Sequence, residues 1–316
     1  MAITPAAPAS PAALACVVLA HEDPEHVRRL VEALDPFPVF LHCDARTSEP
    51  VFRAMTEGLP ARVRLLPRIR TGWAKWENVE AEVEGYRAAL ATTDVSHVAV
   101  LTGSDYPLAG PAEIGALLEA HRQQSFIAAH PLPFAEWGRN GGVARLRYRH
   151  WAWRKRMLRL PIPRRLPRDV VFAGGSQLKV LARRHAAAVV EAVDTRPDLV
   201  RFWRRTWVAD ETFVPSVLRT PALTPGFADE HVPNPLWWIG WDGTARKSPP
   251  WLTTADAGAL LERRTMPDLE HPHVFARKFS TALSSDLLDV VDAAFGLRQG
   301  TTAPARATPS PSVVGP

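Results

Sequence analysis

The sequence predicts an α/β fold: a Rossmann-like, doubly wound nucleotide-binding half with a second half built onto the same sheet. Three observations carry this. Short apolar runs alternate with amphipathic segments over residues 13–130, the βαβα rhythm of a parallel sheet covered by helices. No Gly/Ser-rich linker divides the chain, so one domain is expected over residues 13–296, with 13–130 as the nucleotide-binding half and 131–296 built onto the same sheet. The fourth apolar run, "HVAVLTG", breaks into the polar turn Ser104-Asp105-Tyr106-Pro107. In open α/β sheets, ligands bind at the carboxyl ends of strands, and a turn alone needs no hydroxyl, carboxylate and phenol together.

The elements follow in order. "ALACVVLA" reads as the first strand, and "DPEHVRRLVEAL" as a helix capped by Asp23 with Pro24 in its first turn. "FPVFLHCD" and "RVRLLP" are the second and third strands, "WENVEAEVEGYRAALAT" a helix, and "HVAVLTG" the fourth strand. Pro111 opens the helix "PAEIGALLEAHR", and "SFIAAHP" is a fifth strand. Beyond residue 135 the rhythm degrades. "VVFAGGSQLKVLARRHAAAVVEAV" reads as a strand, a glycine turn and a long helix. "ADETFVPSVL" is a helix headed by two acids, "NPLWWIGWDG" a Trp-rich loop, and "SSDLLDVVDAAFG" a last helix. Residues 1–12 and 297–316, rich in Pro and Ala, are expected to be disordered tails.

Composition narrows the function. The 316 residues are 46% hydrophobic and 22% charged, ordinary for a globular chain. There is no apolar run of membrane-spanning length, and the first apolar run has no basic residue before it, unlike a secretory signal. Cys16 and Cys43, the only two cysteines, fit a reducing compartment, so a cytoplasmic setting with peripheral contact at the inner membrane face is expected. The net charge is +5, yet residues 137–168 hold eleven Lys and Arg and no acid. That block interleaves Arg with Tyr148, Trp151 and Trp153. Three uses stay open over residues 145–168: an anionic membrane surface, a groove for an acidic glycan, or nucleic acid.

Several chemistries drop out. The chain has no G-x-G-x-x-G, no P-loop, no H-E-x-x-H and no G-x-S-x-G. Four polar constellations remain: Asp44 closing the second strand, Ser104-Asp105, Asp210-Glu211, and Arg277-Lys278 between Phe275 and Phe279. Asp44 and the Ser104 turn have ordinary roles as caps, and an acidic first helical turn complements the helix dipole. The basic pair is less easily placed, because alternation turns at least one cation inward, where it needs an anion.

Together these segments resemble the core-2/I-branching glycosyltransferase family, β-1,6-N-acetylglucosaminyltransferases and peptide xylosyltransferases. "VVLAHEDPEHVRRLVEAL", "VFLHCDAR", "RTGWAKWENVEAEV", "LTGSDYPL", "AGGSQLKVLARRHA", "ADETFVPSVL" and "HVFARKFS" match its segments in order across residues 14–280. "LTGSDYPL" and "FARKF" are the most specific. The resemblance implies a GT-A-like mixed sheet flanked by helices and an inverting enzyme without the metal-binding D-x-D pair. It implies a UDP-sugar donor, of N-acetylglucosamine or less readily xylose, and a glycan or glycoconjugate acceptor, with no cofactor, no metal and no nucleic acid.

It also assigns residues. Glu211 corresponds to the general base, and Lys278 with Arg277 would stand in for a metal at the leaving diphosphate. Arg246 or Lys247 in "GTARKSPP" is the nearest match to a second basic residue. Asp44, Ser104 and Asp105 fall on the donor side, with loop ordering favoured for Asp105. Asp210, Gln177, Trp238 and Trp241 fall on the acceptor side. Leu178, Ala209, Pro215 and Ser216 depart from the family pattern, which bears on the acceptor pocket. The alternative is a non-catalytic glycan- or nucleic-acid-binding protein using residues 145–168.

Overall fold

A computed structural model describes residues 13–153, 156–241, 243, 248–264 and 269–298. Strand β1 (Leu14–Ala20) is apolar throughout and buried on both faces, as a central parallel strand must be. Its side chains alternate between two cores: Cys16 and Val18 enter one, Ala15 and Val17 the other. Helix α1 (Pro24–Ala33) starts at Asp23, whose side chain accepts the His26 N–H, and packs on the first core. Strand β2 (Val39–Cys43) and the short β3 (Val63–Leu65) extend the sheet in parallel on one side of β1. Between them lies α2 (Glu49–Thr56), an eight-residue helix the apolar pattern does not predict.

Helix α3 (Trp76–Thr92) covers the second face, and Gly85 lets it sit against β1. A Cβ there would lie 2.3 Å from Val17 Cγ1. Strand β4 (His97–Thr102) pairs in parallel with β1 on its other side. The polar turn that follows is itself a strand, β5 (Asp105–Pro107), and α4 (Pro111–Ala120) begins at Pro111 as expected.

From here the structure corrects the expected elements. "SFIAAHP" is not one strand. The Ile127 N–H bond to Val232 O at 3.1 Å is the last tie of this stretch to the main sheet, so β6 (Ser125–Phe126) belongs there and β7 (Ala129–Pro131) pairs in another sheet. The basic block forms a short helix α5 (Val143–Arg147) and a hairpin of β8 (Tyr148–Trp153) and β9 (Arg156–Pro163). After β10 (Ala173–Gly175) comes an extra strand, β11 (Lys179–Ala182), and only then α6 (Arg183–Thr195). Helices α7 (Pro197–Trp203) and α8 (Ala209–Arg219) follow. Strand β12 (His231–Val232) and strand β13 (Trp237–Ile239), the latter inside the Trp-rich segment, precede α9 (Ala257–Arg264). Strand β14 (Phe275–Arg277) and α10 (Thr281–Phe295) end the order.

The main sheet has seven strands in the order β12-β6-β11-β4-β1-β2-β3. Strand β11 runs antiparallel to both β4 and β6, so the sheet is mixed. Strands β11 and β12 come from the second half, as expected of one domain sharing a sheet. This is the GT-A-like mixed sheet flanked by helices that the sequence led us to expect. A smaller sheet, β13-β14-β5, sits beyond the carboxyl end of β4 and carries Arg277. At the far end, Leu297 is buried in the first core and Arg298 pairs with Glu32 at 3.1 Å. The folded part therefore continues past the expected boundary at 296; the segments 1–12 and 299–316 lie outside the described residues.

Candidate active site

The carboxyl end of the main sheet opens into a cleft of about 440 Å³. Its walls come from the segment before α3, the turn after β10, the start of α8, strand β13 with the loop after it, and β14. Five of the expected residues meet there: Gln177, Asp210, Glu211, Trp241 and Arg277.

Helix α8 sets the two acids. Its cap residue, Val208, has φ 56°, and Ala74 facing it has φ 61°. The Val208 N–H donates to Ala74 O at 3.0 Å, joining two non-glycine residues held in the left-handed region. Such backbone costs on the order of 1–3 kcal/mol and concentrates at functional sites. Both residues line the cleft.

Asp210 is buried, and Asn78 Nδ2 donates to its Oδ2 at 3.1 Å. Among the described residues its buried Oδ1 has no partner, an acceptor left for a polar group. Burial pushes the Asp210 carboxyl upward, only partly opposed by the Asn78 hydrogen bond and the Lys179 charge. Lys179 itself forms a fully buried ion pair with Glu82 at 2.8 Å, and Tyr86 also donates to Glu82 at 2.6 Å.

Glu211 accepts from Arg145 Nη1 at 2.9 Å through Oε2. Among the described residues, its Oε1 has no hydrogen-bond partner. Burial and the adjacent Asp210 raise its carboxyl to about 7, with Arg145 opposing. The Arg145 guanidinium lies 3.9 Å from the centre of the Trp137 ring and 5.5 Å from that of Trp207. Trp207 meets Trp73 edge-on at 6.2 Å, and Trp73 and Trp241 are 56% and 55% exposed. These flat apolar faces at the rim can stack a sugar ring.

Arg277 enters from β14 and is held from behind. Asp105, fully buried, takes its Nη1 at 3.0 Å and the Thr102 N–H at 2.7 Å; Arg277 also bonds Thr102 Oγ1. Asp105 thus spends its carboxylate on the loop and on Arg277. Ser104 acts through its backbone, its carbonyl accepting from the Phe279 N–H at 2.8 Å.

Other expected residues stand outside the cleft wall. Lys278 lies with Nζ 3.8 Å from the Trp251 ring centre; burial and Arg277 lower its pKa. Asp44 is buried at the end of β2. Burial would raise its carboxyl, but hydrogen bonds from Arg46, at 2.7 Å from Nη2, and from Thr71 hold it at about 2. Trp238 packs against the first core rather than into the cleft. Arg246 and Lys247 lie outside the described residues. Among the described residues, no three His, Cys, Asp or Glu side chains gather to hold a metal ion.

Sequence reasoning did not single out Trp73, Asn78, Trp207 or Arg145. The first two lie in the quoted "RTGWAKWENVEAEV" segment, which was a usable signal; Arg145 was hidden among its basic neighbours.

Residues 14–261 match the family described as Core-2/I-Branching enzyme. Xylosyltransferase 1 of Homo sapiens is 25% identical over 306 residues, covering 90% of this chain and 30% of its own length. Xylosyltransferase 2 of Rattus norvegicus is 25% identical over 205 residues, covering 61% of this chain and 22% of its own. The chain thus spans less than a third of the length of these curated relatives. Likeness to solved structures is slight: HddC from Yersinia pseudotuberculosis aligns over 54% of this chain and 78% of its own at 10% identity, with a TM-score of 0.27, too low to carry an argument.

Proposed function

Because the chain belongs to the core-2/I-branching enzyme family, we propose that it is an inverting glycosyltransferase using a UDP-sugar without a metal ion. It transfers N-acetylglucosamine or xylose to a hydroxyl of a glycan or glycoconjugate. The observation that carries this reading is Glu211, its carboxyl raised to about 7 at the wall of a Trp-rimmed cleft. A base with a pKa near the working pH combines a useful ionised fraction with real proton affinity.

In this reading Glu211 Oε1 takes the proton of the acceptor hydroxyl while that oxygen attacks the anomeric carbon. The bond from the anomeric carbon to the UDP oxygen breaks from the opposite face, and its electron pair leaves with the diphosphate. Arg145 fixes the carboxylate through Oε2. Asp210 Oδ1 and Gln177 are placed for sugar hydroxyls, and Trp241 for a ring face. Arg277, pre-set by Asp105, meets the charge on the leaving diphosphate, and Lys278 adds positive potential from beside it. The names of the xylosyltransferase relatives bring xylose forward as a donor beside N-acetylglucosamine.

The test is a thermal shift in EDTA with UDP, UDP-xylose and UDP-N-acetylglucosamine in separate wells. Ligand at a hundredfold its Kd adds about 2.7 kcal/mol. A rise with UDP compounds is expected, and the larger rise ranks the donor. A rise that appears only with added Mn²⁺ overturns metal independence, and no response to any UDP compound overturns the donor class.

A further inference from the structure

A second cavity, of about 450 Å³, lies where the β8–β9 hairpin meets α7, and Arg149, Arg164, Arg165, Arg201 and Arg205 line it with a single acid, Asp198. That carboxylate is already bound to Arg196, at 2.9 and 2.7 Å. Arg164 forms the floor. It donates to Leu146 O, Phe202 O and Thr206 Oγ1, each at 2.8 Å, and stacks 3.8 Å from the Phe202 ring centre. Burial, and after it the Arg149 charge, pull its pKa down to about 10. Among the described residues, Arg149, Arg165, Arg201 and Arg205 form no ion pair. A polyvalent anion such as phosphate complements this geometry.

The hairpin beside the cavity is apolar on its outward face. Trp151 pairs across the strands with Leu158 and Arg149 with Leu160, which places these four on one face, and Ile162 follows at the irregularity before the Tyr148–Pro163 pair. Trp151, Leu158 and Ile162 are 50%, 41% and 52% exposed. The opposite face is anchored: His150 is buried, and its N–H donates to Arg205 O at 3.0 Å. The Arg205 guanidinium lies 4.9 Å from the Trp151 ring centre, so the cationic and apolar parts adjoin.

We propose that the arginine cavity and the outward face of the hairpin form one docking site for an anionic lipid surface. The cavity takes a headgroup phosphate, and Trp151, Leu158 and Ile162 enter the boundary between headgroups and acyl chains. A nucleic acid would use the arginines and leave the apolar face wet, which is why the lipid is the better occupant. The site is separate from the cleft and stands or falls apart from the activity.

The experiment is flotation of the full chain with vesicles of phosphatidylcholine alone, or of equal parts phosphatidylcholine and phosphatidylglycerol. Capture by the anionic vesicles only, weakening with salt, is expected. Arg149→Glu with Arg201→Glu should weaken capture at least tenfold, given roughly fivefold per arginine near a charged surface. Trp151→Ser with Leu158→Ser should weaken it comparably, and circular dichroism should show both variants folded. Equal capture by neutral vesicles overturns the proposal, as does no capture by anionic ones. So does a thermal shift with inorganic phosphate without vesicle capture, which marks a site for soluble phosphate. Capture that survives Trp151→Ser with Leu158→Ser but is competed by a short single-stranded RNA marks a general polyanion site and overturns the lipid reading as well.

Discussion

At the scale of one side chain the proposed chemistry rests on Glu211. As the proposed base it must be ionised, so kcat/KM is expected to rise with pH through an apparent pKa of about 7. Arg145 stabilises the ionised form, so Arg145→Met should move that limb upward; a limb that stays in place would detach Arg145 from the base. Folding raises this carboxyl from 4.5 to about 7, so the folded state binds the proton more tightly than the unfolded chain. The stability Glu211 contributes is full below pH ~4.5 and is lost as pH rises through 7. Glu211→Gln should therefore retain the UDP-induced shift, lose transfer, and melt higher than the native chain at pH 8 but not at pH 5. Because the side chain is 37% exposed, solvent screening limits the size of that gain. The acid pair was legible in the sequence as the head of a helix, and its chemical assignment came from the family resemblance. Its partner was not, since Arg145 lies 66 residues away among similar arginines.

At the scale of elements, α8 has to hold its acids still, and it does so partly through Ser216. The Ala173 N–H donates to Ser216 Oγ at 3.0 Å, and the hydroxyl returns a bond to Ala173 O at 3.2 Å, locking α8 to β10. Ser216→Ala leaves both backbone groups buried and unpaired, at a cost of about 1–3 kcal/mol. Urea unfolding measures it, and a loss under ~0.5 kcal/mol, the range of unremarkable surface substitutions, would mean that other contacts hold the helix. Elements whose burial is local were readable: β1, β2 and β4 as apolar runs, α1 from Asp23 and Pro24. Strand β11 was not, because it puts Lys179 at the centre of the sheet. That charge is tolerated only because Glu82, on α3, meets it in the core at 2.8 Å. Pairings of that separation leave no periodic trace, and the same holds for β5 and β14, which find each other across the chain.

At the scale of the whole molecule, the cleft depends on a junction beyond the family-matched stretch. Arg277 lies past residue 261, and its small sheet is tied to the main body through β5. Tyr106, in the middle of β5, donates to Asp292 Oδ1 on α10 at 2.6 Å, and Arg29 on α1 reaches Asp292 Oδ2 at 2.7 Å. Asp292 is buried, so one carboxylate joins the first helix, the last helix and the strand behind Arg277. Removing one member of a buried pair costs about 3–5 kcal/mol when the other's charge is left alone; in Asp292→Ala, Arg29 keeps Asp289 at 2.6 Å, so the cost falls below that range, while the Tyr106 hydroxyl loses its acceptor. Tyr106→Phe removes only one hydrogen bond to a charged group, about 1.5–3 kcal/mol, and leaves the Arg29–Asp292 pair intact. Asp292→Ala is therefore expected to cost more than Tyr106→Phe in urea unfolding. Where it remains folded, its UDP-induced thermal shift should shrink, because β5 and Asp105 no longer present Arg277 in register. Equal costs for the two substitutions would show that the Arg29–Asp292 pair adds nothing beyond the Tyr106 hydrogen bond. An undiminished UDP shift in Asp292→Ala would show that Asp105 sets Arg277 without help from the rest of the molecule.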